Sequence, residues 1–138
     1  MKENMVQFKQ NTAIILALSF VAFSTINAYA ISATEKSQLE KLDPHTRLEQ
    51  RCDIEAMNRL AKETKYSPDK VLAYSFGDPK VTKNRVQANG AAFRARGQWY
   101  HLSYDCQSAD DKMTIQHFKY QIGKIIPKSS WDKHYLVP

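Results

Sequence analysis

Two cysteines, Cys52 and Cys106, constrain the fold of this chain more than any other feature of its sequence. Cys52 lies in a stretch with helical spacing of apolar residues, and Cys106 lies in a stretch that alternates like a β-strand. A bond between them would therefore fasten a helix to a sheet. In the loop-entropy description, closing a loop of about 50 residues stabilises a fold by roughly 4 kcal/mol.

The amino-terminal segment indicates a compartment in which such a bond persists. Lysines precede an uncharged apolar run at residues 12–23, and Ala28-Tyr29-Ala30 offers small residues at the two positions that a signal peptidase reads. We predict a cleavable signal peptide over residues 1–30, a periplasmic or secreted product, and no membrane span after cleavage. The alternative is a retained anchor, because residues 11–32 are uncharged and long enough to span a bilayer.

An isolated cysteine pair in an exported chain is expected to form a structural disulfide. The alternatives are a redox pair or a metal site. Redox pairs usually lie close together in sequence, and neither cysteine has a Cys or His at ligand spacing. The sequence therefore predicts no metal site and no cofactor.

A long helix is predicted to begin at Asp43-Pro44. Asp is a favourable N-cap, and Pro suits the first helical position because its missing N–H would be unpaired there anyway. Residues 45–64 contain no Gly or Pro. The apolar positions that recur at four-residue steps are Leu48, Cys52, Ala56 and Leu60. The polar residues 31–41 before this helix predict a flexible lead-in or a first helical turn.

Beyond a predicted turn at residues 67–69, the pattern changes to strands. The predicted strands cover residues 71–76, 85–89, 91–96, 98–107 and 112–122, and residues 127–134 predict a short closing helix. A long helix followed by a meander is typical of an α+β domain, with the helix packed on an antiparallel sheet. We assign residues 42–138 to this single domain, with one disulfide between helix and sheet.

Turn signals and hydrophobic alternation predict two hairpin registers. A two-residue turn at Gly97-Gln98, with Gly first, suits a tight hairpin. The predicted pairs of the first hairpin are Ala95 with Tyr100 and Phe93 with Leu102. In the second hairpin, Cys106 with Met113 and Tyr104 with Ile115 match near the turn, whereas Leu102 with Phe118 and Tyr100 with Tyr120 match further out. The second hairpin needs one extra residue, which we expect as a bulge near Gln116-His117.

The sheet face opposite Cys106 is the predicted binding surface. The side chains that these registers place on it are Arg94, Arg96, Trp99, His101 and Lys119. Cations around an aromatic platform suit an anionic or sugar-containing ligand. The formal net charge of +6 favours anionic partners, and export makes nucleic acid a poor candidate. The alternative is an ordinary solvated sheet face.

The histidines raise the alternative of an enzyme. A hairpin would bring His101 towards His117, and Asp105 shares the face of His101. Two histidines and a carboxylate can bind zinc or transfer protons. The sequence contains no His-Glu-x-x-His motif, nucleophile elbow or phosphate-binding glycine loop, so surface or packing histidines are the favoured interpretation.

Several motifs together resemble a known bacterial family. Along the predicted helix they are Leu42-Asp43-Pro44, Thr46-Arg47, Glu49-Gln50-Arg51-Cys52 and Met57. Further along they are Gly90-Ala91-Ala92-Phe93-Arg94, Trp99-Tyr100, Cys106, Gly123, Ile126-Pro127 and Trp131. Over about residues 39–136 the chain resembles the family catalogued as domain of unknown function 930. The resemblance implies an exported single-domain protein, and it carries over no catalytic or binding residue.

Export, basic charge and the absence of catalytic motifs predict a non-enzymatic binding or interaction module of the cell envelope. Its expected partner is an anionic envelope polymer or an envelope protein. One alternative is a small envelope hydrolase that uses His101 and a carboxylate. Another is a secreted effector or enzyme inhibitor.

Overall fold

The computed structural model describes residues 29–138, so the predicted signal segment up to residue 28 lies outside the described residues. Helices α1 (Ala33–Glu40) and α2 (Pro44–Glu63) precede the strands, and two short 3₁₀ turns, Lys128–Ser130 and Asp132–His134, follow them. The strands are β1 (Pro68–Leu72), β2 (Lys80–Thr82), β3 (Arg85–Ala95), β4 (Gln98–Ser108) and β5 (Ile115–Ile125). Within residues 29–138, no helix has the length and apolar character needed to cross a membrane. The predicted α+β class is confirmed.

Helix α2 begins where the sequence predicts, because Asp43 accepts hydrogen bonds from the backbone N–H groups of His45 and Thr46, both at 3.1 Å. The segment expected to be a lead-in or a first helical turn contains helix α1, which begins at a capping box formed by Ser32 and Glu35. Arg47 of α2 donates to three backbone carbonyls at the end of α1 and just beyond it. These bonds join the two helices.

The strands form one antiparallel sheet in the order β1-β3-β4-β5, with β2 paired to the first residues of β3. Three strand predictions are corrected. Strand β1 begins at Pro68, inside the predicted turn, and ends at Leu72. Strand β3 continues through Gly90 as one strand, because a bulge between Ala88 and Ala91 absorbs the irregularity. Strand β5 covers Ile115–Ile125 instead of residues 112–122.

The predicted register of the β3–β4 hairpin is wrong. The observed pairs are Ala95 with Gln98, Phe93 with Tyr100 and Ala91 with Leu102. The two-residue turn is therefore Arg96-Gly97, and φ is 51° at Arg96 and 72° at Gly97. Positive φ at both positions is what a type I′ turn requires. Since the register moves by an even number of residues, each side chain stays on its predicted face.

The β4–β5 register also differs from the prediction, but the predicted bulge is confirmed. The observed pairs are Leu102 with Ile122, Tyr104 with Tyr120 and Cys106 with Phe118. Gln107 pairs with His117 and Ser108 pairs with Ile115, so Gln116 is the extra residue. The register moves because the connection is longer than expected and is held by Asp111, which accepts backbone hydrogen bonds of 2.8 Å within it.

The main core lies between α2 and the sheet face that carries Cys106, which we call the inner face. Cys52 and Cys106 form the predicted disulfide, and their Cα atoms lie 6.0 Å apart. The helix stripe of Leu48, Ala56 and Leu60 is almost fully buried against this face. The disulfide thus joins the apolar stripe of the helix to the apolar face of the sheet. The opposite face is called the outer face.

Candidate functional site

The outer face is divided into a covered part and an open part. The chain after β5 folds over the part next to the β3–β4 turn, and there Trp99 is fully buried. The residues of this second core are Ala92, Trp99, Ile126, Trp131 and Leu136. The indole N–H of Trp99 donates to the carbonyl of Val137 at 2.8 Å. Trp99, predicted to face a ligand, instead supports the packing of the C-terminal segment.

Arg94 is held in the same covered part. Its guanidinium pairs with the carboxylate of Asp69 through two contacts of 2.9 and 3.0 Å, and it donates to the carbonyl of Pro138 at 2.6 Å. This hydrogen bonding holds the pKa of Asp69 below its usual value. The Arg94 guanidinium lies 5.7 Å from the centre of the Trp99 ring. Arg94 thus lies beside Trp99, but the polar groups of both side chains are bonded within the protein.

The open part of the outer face forms a shallow polar depression across β3, β4 and β5, which we call the outer groove. It consists of two adjoining cavities of about 270 and 170 Å³ that share Asn89, Ser103 and Gln121. The other outer-face side chains that line it are Gln87, His101, Asp105 and Lys119. The structure thus brings His101 and Lys119, both predicted site residues, to the same groove.

Small residues keep this groove open. Ser103 lies in the middle of β4, and Gly123 lines the groove from β5. A Cβ atom at Gly123 would lie only 2.7 Å from the Cβ of His101, so a larger residue would force the two strands apart. The close approach at Gly123 accompanies a bulge between Tyr100 and Leu102.

Four side chains of the outer groove have hydrogen-bonding capacity that residues 29–138 leave unused. These side chains are Asn89, Ser103, Lys119 and Gln121. The amides and the hydroxyl can both donate and accept, and the ammonium group of Lys119 has three donors. Such a mixed set suits a ligand that carries several hydroxyl groups together with acidic groups.

An ion pair occupies the end of the outer groove nearest β2. Arg85 donates to both carboxylate oxygens of Asp105, one of them at 2.7 Å. The pKa of Asp105 is lowered mainly by this hydrogen bonding, with a smaller contribution from His117. Lys119 is the register partner of Asp105, yet these two form no ion pair in the described chain. The groove therefore keeps a positive charge at Lys119.

The predicted cluster of histidines and a carboxylate does not form. His117 pairs with Gln107, which places it about 20 Å along β4 from His101. The His101 ring packs against Phe76 with a centroid distance of 4.3 Å, and His101 forms no ion pair with a carboxylate in the described part of the chain. No group of three or more His, Cys, Asp or Glu side chains in residues 29–138 is arranged to hold a metal ion.

Arg96 lies outside the outer groove, at the β3–β4 turn, where it lines a separate cavity with Tyr66 and Tyr100.

Asn89, Ser103 and Gln121 were not predicted as site residues. The alternation of β4 does place Ser103 between His101 and Asp105, so this signal was available. Neutral amides and hydroxyls are common on any solvated strand, so their presence alone does not indicate a binding site.

No curated protein and no solved structure matches this chain. Residues 39–136 match the family described as Domain of Unknown Function (DUF930). The match covers α2, the whole sheet and most of the C-terminal segment, and thus includes the outer groove. The chain belongs to the DUF930 family.

Proposed function

We propose that this protein is an exported, non-enzymatic binding module of the cell envelope, and that the outer groove holds an anionic envelope glycan. The observation that carries this proposal is the unused hydrogen-bonding capacity of Asn89, Ser103 and Gln121 beside the positive charge of Lys119. A glycan presents hydroxyl groups to the amides, and its acidic groups compensate the ammonium group.

The disulfide supports the compartment that the proposal requires. Structural disulfides form and persist in oxidising environments such as the periplasm or the medium, and they are rare in the cytoplasm of most organisms. The Cys52–Cys106 bond is buried between α2 and the sheet. It therefore agrees with the export that the sequence predicts.

The charge balance of the outer groove favours an anionic ligand over a cationic one. Asp105, the acidic side chain of the groove, is already compensated by Arg85. A cationic ligand would meet Lys119 without a free carboxylate to oppose it. An anionic ligand would be attracted by Lys119, and this attraction weakens as salt screens it.

The hydrolase alternative needs a carboxylate that works with His101, and no carboxylate contacts His101 in the described chain. Three arrangements would make an enzyme plausible on general grounds: a nucleophile with its base, a pair of facing carboxylates, or a metal centre. None of them accompanies the outer groove among residues 29–138. Binding without catalysis is therefore the function that the geometry supports best.

The test is a calorimetric titration of the purified disulfide-bonded protein with soluble cell-wall glycan fragments that carry carboxylates. Gln121→Ala combined with Lys119→Ala should weaken binding by about tenfold or more, since it removes one charge-assisted and one neutral contact. Gln116→Ala is the matched control, because Gln116 is an exposed glutamine of the same strand outside the groove. Equal affinities of the double variant and the wild type would refute the site.

A further inference from the structure

Arg96 differs from the other arginines of residues 29–138 because it has no partner there. The others, which donate hydrogen bonds to carbonyls or carboxylates, are Arg47, Arg51, Arg59, Arg85 and Arg94. Arg96 makes neither a hydrogen bond nor an ion pair within the described chain. Its guanidinium group, which has five N–H donors, is therefore available to a ligand.

Arg96 lines a cavity of about 260 Å³ at the β3–β4 turn, together with Lys65, Tyr66, Ala95 and Tyr100. The rings of Tyr66 and Tyr100 are in edge contact, with centroids 4.9 Å apart. The Nζ of Lys65 lies 5.9 Å from the centre of the Tyr66 ring. No acidic side chain lines this cavity, and its two phenolic hydroxyls have no hydrogen-bond partner in residues 29–138.

The backbone conformation of Arg96 independently indicates that its side chain has a functional role. Its φ of 51° places it at the first central position of a type I′ turn. Asn, Asp and Gly are preferred there, because other side chains are strained in the left-handed region. Arginine is thus a poor choice for the turn itself, and in the described chain its side chain makes no hydrogen bond or ion pair that would compensate the strain. Strain of this kind is often kept where a side chain serves a ligand.

We infer that the cavity lined by Lys65, Tyr66, Arg96 and Tyr100 binds a phosphate group. The two cations match the charge of a phosphate monoester, which is about −1.5 to −2 at neutral pH. The guanidinium offers two parallel N–H donors to a pair of phosphate oxygens, and the phenols and the ammonium group can donate to the remaining oxygens. The cavity shares no lining residue with the outer groove, so this site goes beyond the proposed function.

The first test is a titration of the whole purified protein with inorganic phosphate. NMR monitors the titration through the backbone amide signals of Lys65, Arg96 and Gly97. Saturable shifts are expected in the wild type. Arg96→Asn should weaken binding at least tenfold while the protein stays at least as stable, because Asn suits the positive φ of this turn. The separation of binding from stability distinguishes a ligand role from a structural one.

Two further variants make the test specific. Lys124→Ala removes a nearby exposed cation that does not line the cavity, and it should leave phosphate binding within about twofold of the wild type. The Lys119→Ala and Gln121→Ala variant should also keep phosphate binding, so failure of the outer groove and failure of this site are distinguishable. Absence of saturable shifts, or equal weakening by Lys124→Ala and Arg96→Asn, would overturn the inference.

A vesicle experiment identifies the source of the phosphate group. Phosphatidylglycerol vesicles that bind the wild type but not Arg96→Asn would assign a lipid headgroup. Binding of inorganic phosphate without vesicle binding would assign a soluble or polymer-borne phosphate. Either result supports the site, because in both cases the same guanidinium holds the phosphate oxygens.

Discussion

Tyr104 of β4 donates a hydrogen bond of 2.7 Å to the carboxyl group of Asp53 on α2, next to the Cys52–Cys106 disulfide. Burial raises the pKa of Asp53 to about 7, the hydrogen bond from Tyr104 opposes this rise, and the charge of Glu49 adds to it. Near pH 6 the folded protein therefore keeps a proton on this carboxyl that the unfolded chain has lost.

This pair predicts that stability depends on pH. Since the folded protein binds the additional proton between about pH 4 and pH 7, the free energy of unfolding falls as the pH rises through this window. Asp53→Asn keeps an acceptor for Tyr104 but cannot titrate. Between pH 4 and pH 8, its free energy of unfolding should therefore rise by about 2 kcal/mol relative to that of the wild type. This is less than the full pKa shift would give, because Asp53 is partly exposed.

Urea unfolding at several pH values measures this difference. Tyr104→Phe removes the hydrogen bond that opposes the rise in the Asp53 pKa, so the stability of this variant should continue to fall up to a higher pH than that of the wild type. Parallel pH curves for the wild type and Asp53→Asn would show that Asp53 is ionised in the folded protein at the lower pH.

Loss of the disulfide should cause a large loss of stability. For the loop between Cys52 and Cys106, whose separation is 54 residues, the loop-entropy description gives about 4 kcal/mol. In a domain of about 100 residues this corresponds to a fall in Tm of more than about 10 °C. Calorimetry of the Cys52→Ala, Cys106→Ala double variant measures it. Reductant should lower the Tm of the wild type and leave that of the double variant unchanged.

Removal of the buried carboxylate of Glu55 should also be strongly destabilising. Glu55 is fully buried and pairs with Arg51 at 3.0 Å and with Arg59 at 2.9 Å. Glu55→Ala leaves the buried charge of Arg51 without its carboxylate, at a cost of about 3–5 kcal/mol. Glu63→Ala removes a more exposed partner of Arg59 and should cost about 1 kcal/mol or less. Chemical denaturation that ranked the two variants in the reverse order would contradict the buried network.

Arg94 should be important for packing and not for the outer groove. Arg94→Gln breaks the pair with Asp69 and the contact with Pro138, so the C-terminal segment should loosen over Trp99. We expect a red shift of tryptophan fluorescence, a stability loss of about 1 kcal/mol, and unchanged glycan binding. Arg85→Gln breaks the Arg85–Asp105 ion pair away from Trp99 and should leave the fluorescence unchanged. A similar shift in both variants would mean that Arg94 does not hold the segment.

The parts of the fold that depend on local signals could be predicted from the sequence. The start of α2 follows from the Asp43-Pro44 cap, and the disulfide follows from one cysteine on a helical stripe and another on an alternating strand. The bulge at Gln116 follows from the change of phase in the hydrophobic pattern. Each of these features depends on a few neighbouring residues.

The register of the β3–β4 hairpin could not be predicted, because two turns that include Gly97 compete. The predicted turn is Gly97-Gln98, whereas the observed turn is Arg96-Gly97 and places Arg96 at a positive φ that arginine disfavours. The burial of Trp99 depends on the C-terminal segment, whose apolar residues have no regular period. The predicted binding surface therefore separates into three places: the covered part with Arg94 and Trp99, the turn with Arg96, and the outer groove with His101 and Lys119.

The most direct test of the proposed function is co-sedimentation of the purified disulfide-bonded protein with envelope fractions across a salt series. The proposal predicts saturable binding that weakens as salt increases and that falls at least tenfold in the Lys119→Ala, Gln121→Ala variant, while the Gln116→Ala control binds like the wild type. Envelope binding that is absent, or that is equal in all three proteins, would contradict the assignment of the outer groove as the binding site.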